Sequence, residues 1–148
     1  MTANQNKMLV EKIMEARSRR DPEPFIAAMA DDFIWRITGS TAWSGEYVGK
    51  ADVRERLLKP LYAQFDAPSR IVARRILADG DYVVAECDGQ ATTLSGELYA
   101  NTYCFVIRLE HGLLRELTEY MDTALVDRVL QSPPWRRRDH GSKSAMPS

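Results

Sequence analysis

The chain has 148 residues, of which 45% are apolar and 28% charged, and this composition is typical of one soluble globular domain rather than two. Its 20 basic residues nearly balance its 21 acidic ones. Four of the bases lie beyond residue 131, so the body of the chain is acidic. An acidic body offers no basic face for phosphates, and we therefore expect no nucleic-acid partner.

The cysteines and histidines are too few for several kinds of site. Cys87 and Cys104 stand alone, without disulfide or zinc spacing, which favours a reducing cytoplasm. The two histidines, His111 and His140, cannot supply a Ser-His-Asp triad or a His-rich metal site. We therefore expect no metal and no cofactor. Any catalysis must rest on carboxylates and tyrosines.

The sequence carries no sign of a secretion signal or a membrane span. Residues 1–7 are polar, and they do not precede an apolar stretch of the kind that a signal peptide needs. No apolar run approaches the length needed to cross a bilayer. We expect a cytoplasmic protein with no membrane partner.

Helical patterns dominate the first half of the chain. Apolar spacing predicts a first helix over 8–20, with Arg17 among its polar residues, and Asp21 is placed to cap a short second helix. Residues 33–37 are typical of a strand, and 39–49 of a loop. A third helix is predicted over 50–65, bent or interrupted at Pro60.

Strand patterns fill the second half. They predict an antiparallel meander and a short closing helix, over 70–77, 82–90, 98–110, 113–121 and 123–130. Helices first and sheet second predict an α+β fold, in which helices cover one face of a curved sheet. We expect a single domain over 1–131 and a flexible tail over 132–148.

Glu119 is the first candidate for chemistry. Strand alternation places it between Leu117 and Met121 on an apolar strip. Burial there would raise its pKa, as a general acid or base near neutral pH requires. Alternatively, Glu119 points into solvent at a sheet edge or forms a structural ion pair. The nearby Asp122 is expected to cap the closing helix.

Other candidates share faces of neighbouring strands. Tyr99, Asn101 and Tyr103 can orient a substrate oxygen, or they are ordinary residues of a sheet rim. Glu86 and Asp88 form either an acid/base pair or the solvated side of their strand. Aromatic residues around the loop 39–49 are expected to form the wall of an apolar pocket. A tryptophan such as Trp35 is equally typical of the ordinary hydrophobic core. We assign Trp35 and Tyr47 to substrate binding.

Five segments together resemble the SnoaL-like, ketosteroid-isomerase-like superfamily, whose fold is also called nuclear transport factor 2-like. They are Phe33-Ile34-Trp35, Ser44-Gly45-x-Tyr47-x-Gly49-Lys50, Ala78-Asp79-Gly80-Asp81, Tyr99-x-Asn101-x-Tyr103 and Glu119-Tyr120-Met121-Asp122. The resemblance covers about residues 5–130. It is specific for the fold but says little about activity, because members include isomerases, cyclases, dehydratases, hydrolases and proteins without chemistry.

The resemblance implies a cone-shaped barrel of a curved, mostly antiparallel sheet, with N-terminal helices enclosing an apolar cavity. It also implies a homodimer through the outer sheet face, which would carry Thr102, Cys104 and Val106. Glu119 occupies the place of the acid/base carboxylate of SnoaL-like cyclases and limonene epoxide hydrolase.

Two further positions are compared with members of known activity. Asp88 lies about where the epoxide hydrolase has its second aspartate. The residue two before it is Glu86 instead of the expected arginine, which disfavours epoxide hydrolysis. Tyr47 or Tyr103 is the candidate for the oxyanion tyrosine of an isomerase.

Two functions follow as hypotheses. The first is a cofactor-independent enzyme doing acid/base chemistry of isomerase, cyclase, dehydratase or hydrolase type on a small apolar carbonyl or hydroxyl compound. Glu119 would be the acid/base, Asn101 and Tyr103 would orient the substrate, and Glu86 or Asp88 would assist. The alternative is a non-catalytic ligand-binding or dimerisation module of the same fold.

Overall fold

The N-terminal helix brings one basic residue into the interior. A computed structural model describes residues 1–136 of the chain, and its first helix, α1 (Ala3–Ser18), begins at a capping box between Thr2 and Gln5. Val10, Ile13 and Met14 are buried on the inner face of α1. Arg17 lies one turn beyond Ile13 and is buried with them, so its assignment to the polar face was wrong.

The remaining helical segments cover the sheet. They are α2 (Glu23–Ala28), α3 (Lys50–Asp52), a π-helical segment (Val53–Leu58), α4 (Lys59–Tyr62) and α5 (Thr123–Val129). The predicted break at Pro60 corresponds to the change from the π-helical segment to α4. Asp122 caps α5 as expected, because its side chain accepts a hydrogen bond from the Leu125 amide at 3.2 Å.

One curved sheet holds all the strands of residues 1–136. The strands are β1 (Met29–Ile37), β2 (Gly45–Val48), β3 (Arg70–Asp79), β4 (Tyr82–Thr92), β5 (Leu98–Tyr99), β6 (Thr102–Glu110) and β7 (Leu113–Met121). Their order is β2-β1-β7-β6-β4-β3, and β5 pairs with β4. Every pairing is antiparallel except that of β1 with β7, which is parallel. The predicted α+β class, with a mostly antiparallel sheet under N-terminal helices, is confirmed.

Two predicted elements differ in detail. The segment expected as a loop contains β2, which pairs with β1 so that Tyr47 lies opposite Trp35. The strand expected over 98–110 is interrupted at Ala100 and Asn101, and it therefore forms β5 and β6.

A bulge in β7 sets which side chains face the interior. Arg108 of β6 pairs with Glu116 while the next residue, Leu109, pairs with Leu114, so Arg115 is an extra residue in β7. Leu114 and Leu117 consequently both point inward and are fully buried. The alternation that places Leu117, Glu119 and Met121 on one face therefore does not extend to the first residues of β7, since it would put Leu114 on the other face.

The packed chain continues past the boundary expected at residue 131. Pro133 is buried, and the indole nitrogen of Trp135 donates to the Arg56 carbonyl at 2.9 Å. Pro60 has no amide hydrogen with which to bond that carbonyl four residues earlier, so Trp135 satisfies it instead. Of the expected tail, Arg137, Arg138 and the residues after them lie outside the described part of the chain.

No helix within residues 1–136 combines the length and the apolar character that a bilayer crossing requires.

Candidate active site

A cavity of about 70 Å³ lies between the inner face of the sheet and the helices. That volume is several times the space a water molecule needs. Aliphatic and aromatic side chains form most of its wall, including Ile37, Leu57 and Phe105. Among its lining residues in the described chain, two carry charge, Arg17 and Glu119. An apolar space with a few polar groups is the usual form of a small-molecule site.

Glu119 enters the cavity from the middle of the sheet. It lies between Ile37 of β1 and Phe105 of β6, and its side chain is on the same inner face as Leu117. Its Oε1 accepts a hydrogen bond from the indole nitrogen of Trp35 at 3.1 Å. Glu119 is half-buried, and because it lines the cavity, the accessible part of the carboxyl group faces that space.

The surroundings of Glu119 raise its pKa to about 7. Burial is the main cause, since the charged carboxylate loses its hydration. The Trp35 hydrogen bond and the charge of Arg17 act in the opposite direction and lower the pKa by smaller amounts. A carboxyl group with this pKa is divided between its acid and its base form near neutral pH, as proton transfer in both directions requires.

Three tyrosines line the cavity with Glu119, and two of them, Tyr99 and Tyr103, come from the region of β5 and β6. Tyr99 stacks on Phe65 with ring centroids 5.9 Å apart, and Tyr103 stacks on Phe105 at 5.2 Å. Burial raises the pKa of Tyr99 to about 12 and that of Tyr103 well above its ordinary value. Both hydroxyls therefore keep their protons at neutral pH and can donate hydrogen bonds to a substrate oxygen.

Asn101 does not line this cavity. Its side-chain nitrogen donates to the Tyr99 hydroxyl at 2.9 Å and to the Asp122 carbonyl at 3.2 Å, while its oxygen accepts from the Asp122 amide at 3.0 Å. These bonds tie the interruption between β5 and β6 to the end of β7. Asn101 thus positions Tyr99 from behind the cavity wall.

Tyr47 is also outside the cavity wall. It is fully buried, its hydroxyl donates to the Trp43 carbonyl at 2.7 Å, and its ring contacts Trp135 edge-on at 6.0 Å. Burial raises the pKa of Tyr47 to about 12. The structure therefore places Tyr47 outside the cavity that holds Glu119, with its hydroxyl already bonded within the protein.

Glu86 and Asp88 lie on the opposite face of the sheet. Val83, Ala85 and Cys87 of β4 are buried, so the alternating positions point outward. Glu86 pairs with Arg75, and Asp88 pairs with Arg74 at 2.9 Å. The hydrogen bond from Arg75 lowers the pKa of Glu86. The sheet separates both carboxylates from Glu119, and their placement fits the alternative expectation that they form the solvated side of their strand.

The cavity wall also includes residues that were not predicted to form it, among them Arg17, Thr41, Tyr62 and Ser69. Trp43, one of the aromatic residues at the loop 39–49 that were expected to wall a pocket, does line it. A signal existed for Arg17, which follows Ile13 and Met14 at the helical spacings of four and three residues. Trp35, which was predicted, lines the cavity beside Glu119.

Two further features bear on metal and thiol chemistry. Within residues 1–136, no three His, Cys, Asp or Glu side chains are grouped to hold a metal ion. Cys87 and Cys104 are both free thiols. They lie on the neighbouring strands β4 and β6, where Cys87 is paired opposite Tyr103.

Solved structures with the same fold are numerous, and three are representative. An NTF2-like protein of unknown function from Burkholderia pseudomallei is 22% identical, covers 85% of this chain and 98% of its own, and superimposes with a TM-score of 0.72. A candidate SnoaL-like polyketide cyclase from Jannaschia is 15% identical, with coverage of 90% and 96% and a TM-score of 0.71. A candidate isomerase from Bacillus subtilis is 16% identical, with coverage of 86% and 94% and a TM-score of 0.71. At these identities the likeness shows the fold alone.

The family follows from a sequence match that covers most of the chain. No protein of curated function matches the sequence. The model of the SnoaL-like domain matches residues 10–117, which ends two positions before Glu119. Together with the shared fold, this match confirms the resemblance seen in the sequence. The chain belongs to the SnoaL-like domain family.

Proposed function

We propose that the protein is a cofactor-independent enzyme that transfers protons on a small, largely apolar carbonyl or hydroxyl compound. The observation that supports it most is the carboxyl group of Glu119 on the wall of a mainly apolar cavity, where burial raises its pKa to about 7. Keeping a carboxyl group in such a place costs folding free energy, and acid/base catalysis is a function that uses it.

The groups in the cavity suit reactions that pass through an enolate. The Glu119 carboxylate takes a proton from the carbon next to a carbonyl, and the C–H electron pair moves into the bond to the carbonyl carbon. The enolate oxygen so formed accepts a hydrogen bond from the hydroxyl of Tyr99 or Tyr103. Where the substrate has a carbon–carbon double bond beyond the deprotonated carbon, the intermediate is a dienolate. Glu119, now a neutral acid, returns the proton to the far carbon of that double bond, and the double bond shifts into conjugation with the carbonyl, which completes an isomerisation.

An enolate also serves a cyclisation, because its carbon can attack a second carbonyl of the same molecule. The π electrons of that carbonyl move to its oxygen, and the alkoxide so formed takes the proton that Glu119 holds. Proton removal by Glu119 is common to both reactions, and the isomerase and cyclase names of two similar structures are consistent with this range. The identity of the reaction depends on where the substrate carries its other groups.

Titration of Glu119 tests the proposal without a known substrate. With glutamate labelled at the carboxyl carbon, one NMR signal is expected to titrate near pH 7, and it should be missing in Glu119→Gln. The signal of Glu116 is the internal control, because hydrogen bonds from Arg108 and Arg36 lower its pKa. A Glu119 signal that titrates in the ordinary carboxyl range would favour the non-catalytic binding module instead.

We also propose a homodimer that forms through the outer face of the sheet. Tyr103 and Phe105 point into the cavity, so Thr102, Cys104 and Val106 of β6 point outward. Val106→Arg is expected to place an unpaired charge in the interface and to halve the mass measured by analytical ultracentrifugation. The matched control is Leu94→Arg, on a turn where the side chain is 72% exposed. A wild-type protein that sediments as a monomer would contradict the proposed dimer.

A further inference from the structure

Arg17 is a buried cation without a counter-ion. It is 8% exposed and lines the cavity from α1. Its guanidinium lies over the Phe25 ring, 5.0 Å from the centroid. Within residues 1–136, its side chain has no hydrogen bond and no carboxylate oxygen within 4.0 Å. Because arginine remains charged at all physiological pH values, this is a full positive charge.

The guanidinium is open to the cavity. A side-chain nitrogen that makes no hydrogen bond either keeps some accessible surface or is completely enclosed. In the described part of the chain, the completely enclosed case is found at Nε of Arg115 and not at Arg17. The nitrogens of Arg17 therefore retain accessible surface. Arg17 lines the Glu119 cavity and also a second space of about 10 Å³, and only the first of these two has room for a small molecule. The N–H donors of Arg17 are available to a molecule in that space.

Structural roles do not account for this arrangement. A buried charge without a hydrogen-bonded partner costs folding free energy, and a lysine or arginine on a helix surface normally reaches solvent or an acid. Glu119 shares the cavity with Arg17 but does not contact it, so the two are not a structural ion pair. They are separate polar groups on one apolar wall.

We infer that Arg17 binds a carboxylate of the substrate, so that the molecule in the cavity has an anionic end at Arg17 and a reacting carbon at Glu119. The planar guanidinium presents parallel N–H donors that match the two oxygens of a carboxylate. The ring of Phe25 holds the group in place from the side. The inference rests on the proposed function only in placing the reaction at Glu119.

Binding of an acid and its neutral amide measures this role directly. Benzoate and benzamide have nearly the same shape, and acetate and acetamide provide a smaller pair. Calorimetry near pH 6 keeps both acids ionised while Glu119 is mostly neutral. We expect wild-type protein to bind the carboxylate of a pair at least about 10-fold more tightly than the amide, because a charge-assisted bidentate contact is lost in the amide.

Variants assign the preference to one residue. Arg17→Met keeps the apolar stem and is expected to abolish the preference, and Arg17→Lys to retain part of it. Glu116→Gln, on the outer face of the sheet with Arg36 and Arg108, is expected to retain it fully. Benzoate should raise the thermal unfolding midpoint of wild-type protein and leave that of Arg17→Met unchanged. Equal affinity for acid and amide, no saturable binding of either carboxylate, or a preference that survives in Arg17→Met would each overturn the inference. None of these results depends on catalysis, so failure of the proposed function would be seen separately, in the titration of Glu119.

Discussion

Replacing Glu119 with glutamine is expected to lower turnover by about 100-fold or more. Glutamine keeps the size of the side chain and can still accept the hydrogen bond from Trp35, which Glu119 accepts at 3.1 Å. It cannot take or return a proton. The loss should therefore fall on kcat more than on KM, because the substrate still binds.

The measurement needs only a reaction that starts with proton removal. Hydrogen–deuterium exchange next to the carbonyl of small ketones and keto acids, followed by NMR in deuterated water, is such a reaction. The wild-type rate should rise as the pH passes about 7 and then level off, because the carboxylate form of Glu119 is the base.

A matched variant controls for the loss of a charge. Glu116→Gln removes a carboxylate from the same strand, but from the outer face, where Glu116 bonds with Arg36 and Arg108. Its exchange rate should equal that of the wild type. Equal rates for Glu119→Gln and wild type on a substrate that the wild type turns over would remove Glu119 from the mechanism.

Glu119→Gln is also expected to make the protein more stable than the wild type at alkaline pH. The folded state raises the pKa of Glu119 from an ordinary 4.5 to about 7, so between these values the folded state binds more protons than the unfolded state. The free energy of unfolding contributed by this group therefore falls as the pH rises from about 4.5 to 7, by about 3 kcal/mol in all. Glutamine does not titrate and avoids the loss.

Urea unfolding at two pH values measures the effect. We expect Glu119→Gln to exceed wild type by about 3 kcal/mol at pH ~8 and by less than about 1 kcal/mol at pH ~5. Other titrating groups are common to both proteins and cancel in the difference. A difference that stays constant with pH would show that the pKa of Glu119 is not raised by folding.

Glu116→Gln should show the opposite sign. Hydrogen bonds from Arg108 and Arg36 lower the pKa of Glu116, so its charge stabilises the folded state above the ordinary carboxyl range, and that contribution is lost as the pH falls. Because these ion pairs are partly exposed to solvent, we expect a cost of about 1 kcal/mol at pH ~8.

Local sequence patterns were sufficient to predict the fold and the part of the site that β7 contributes. Period-two alternation placed Glu119 with Leu117 and Met121, and the three do share a face. Alternation failed at the start of β7, because a bulge at Arg115 is a property of the pairing with β6 and leaves no mark in a single strand.

Side chains that depend on distant contacts could not be predicted in the same way. Alternation grouped Glu86 with Asp88 correctly, but which face of β4 meets the helices depends on the whole sheet. Asn101 was placed on the strand face of Tyr103, and the interruption at Ala100 turned it toward Asp122 instead. The helical spacing of Arg17 from Ile13 predicts that its side chain lies on the buried face of α1. We assigned it to the solvent-exposed face because it is charged.

The parallel pairing of β1 with β7 has a consequence for how the protein folds. It joins segments from opposite ends of the sequence, and Trp35 and Glu119 are 84 positions apart. Contacts this distant close a large loop and form slowly, so folding that depends on them is slow for a chain of this size. During synthesis, the hydrogen bond between Trp35 and Glu119 cannot form until most of the chain has left the ribosome. A nascent chain that stops before β7 would have the guanidinium and the indole of the cavity but not its acid.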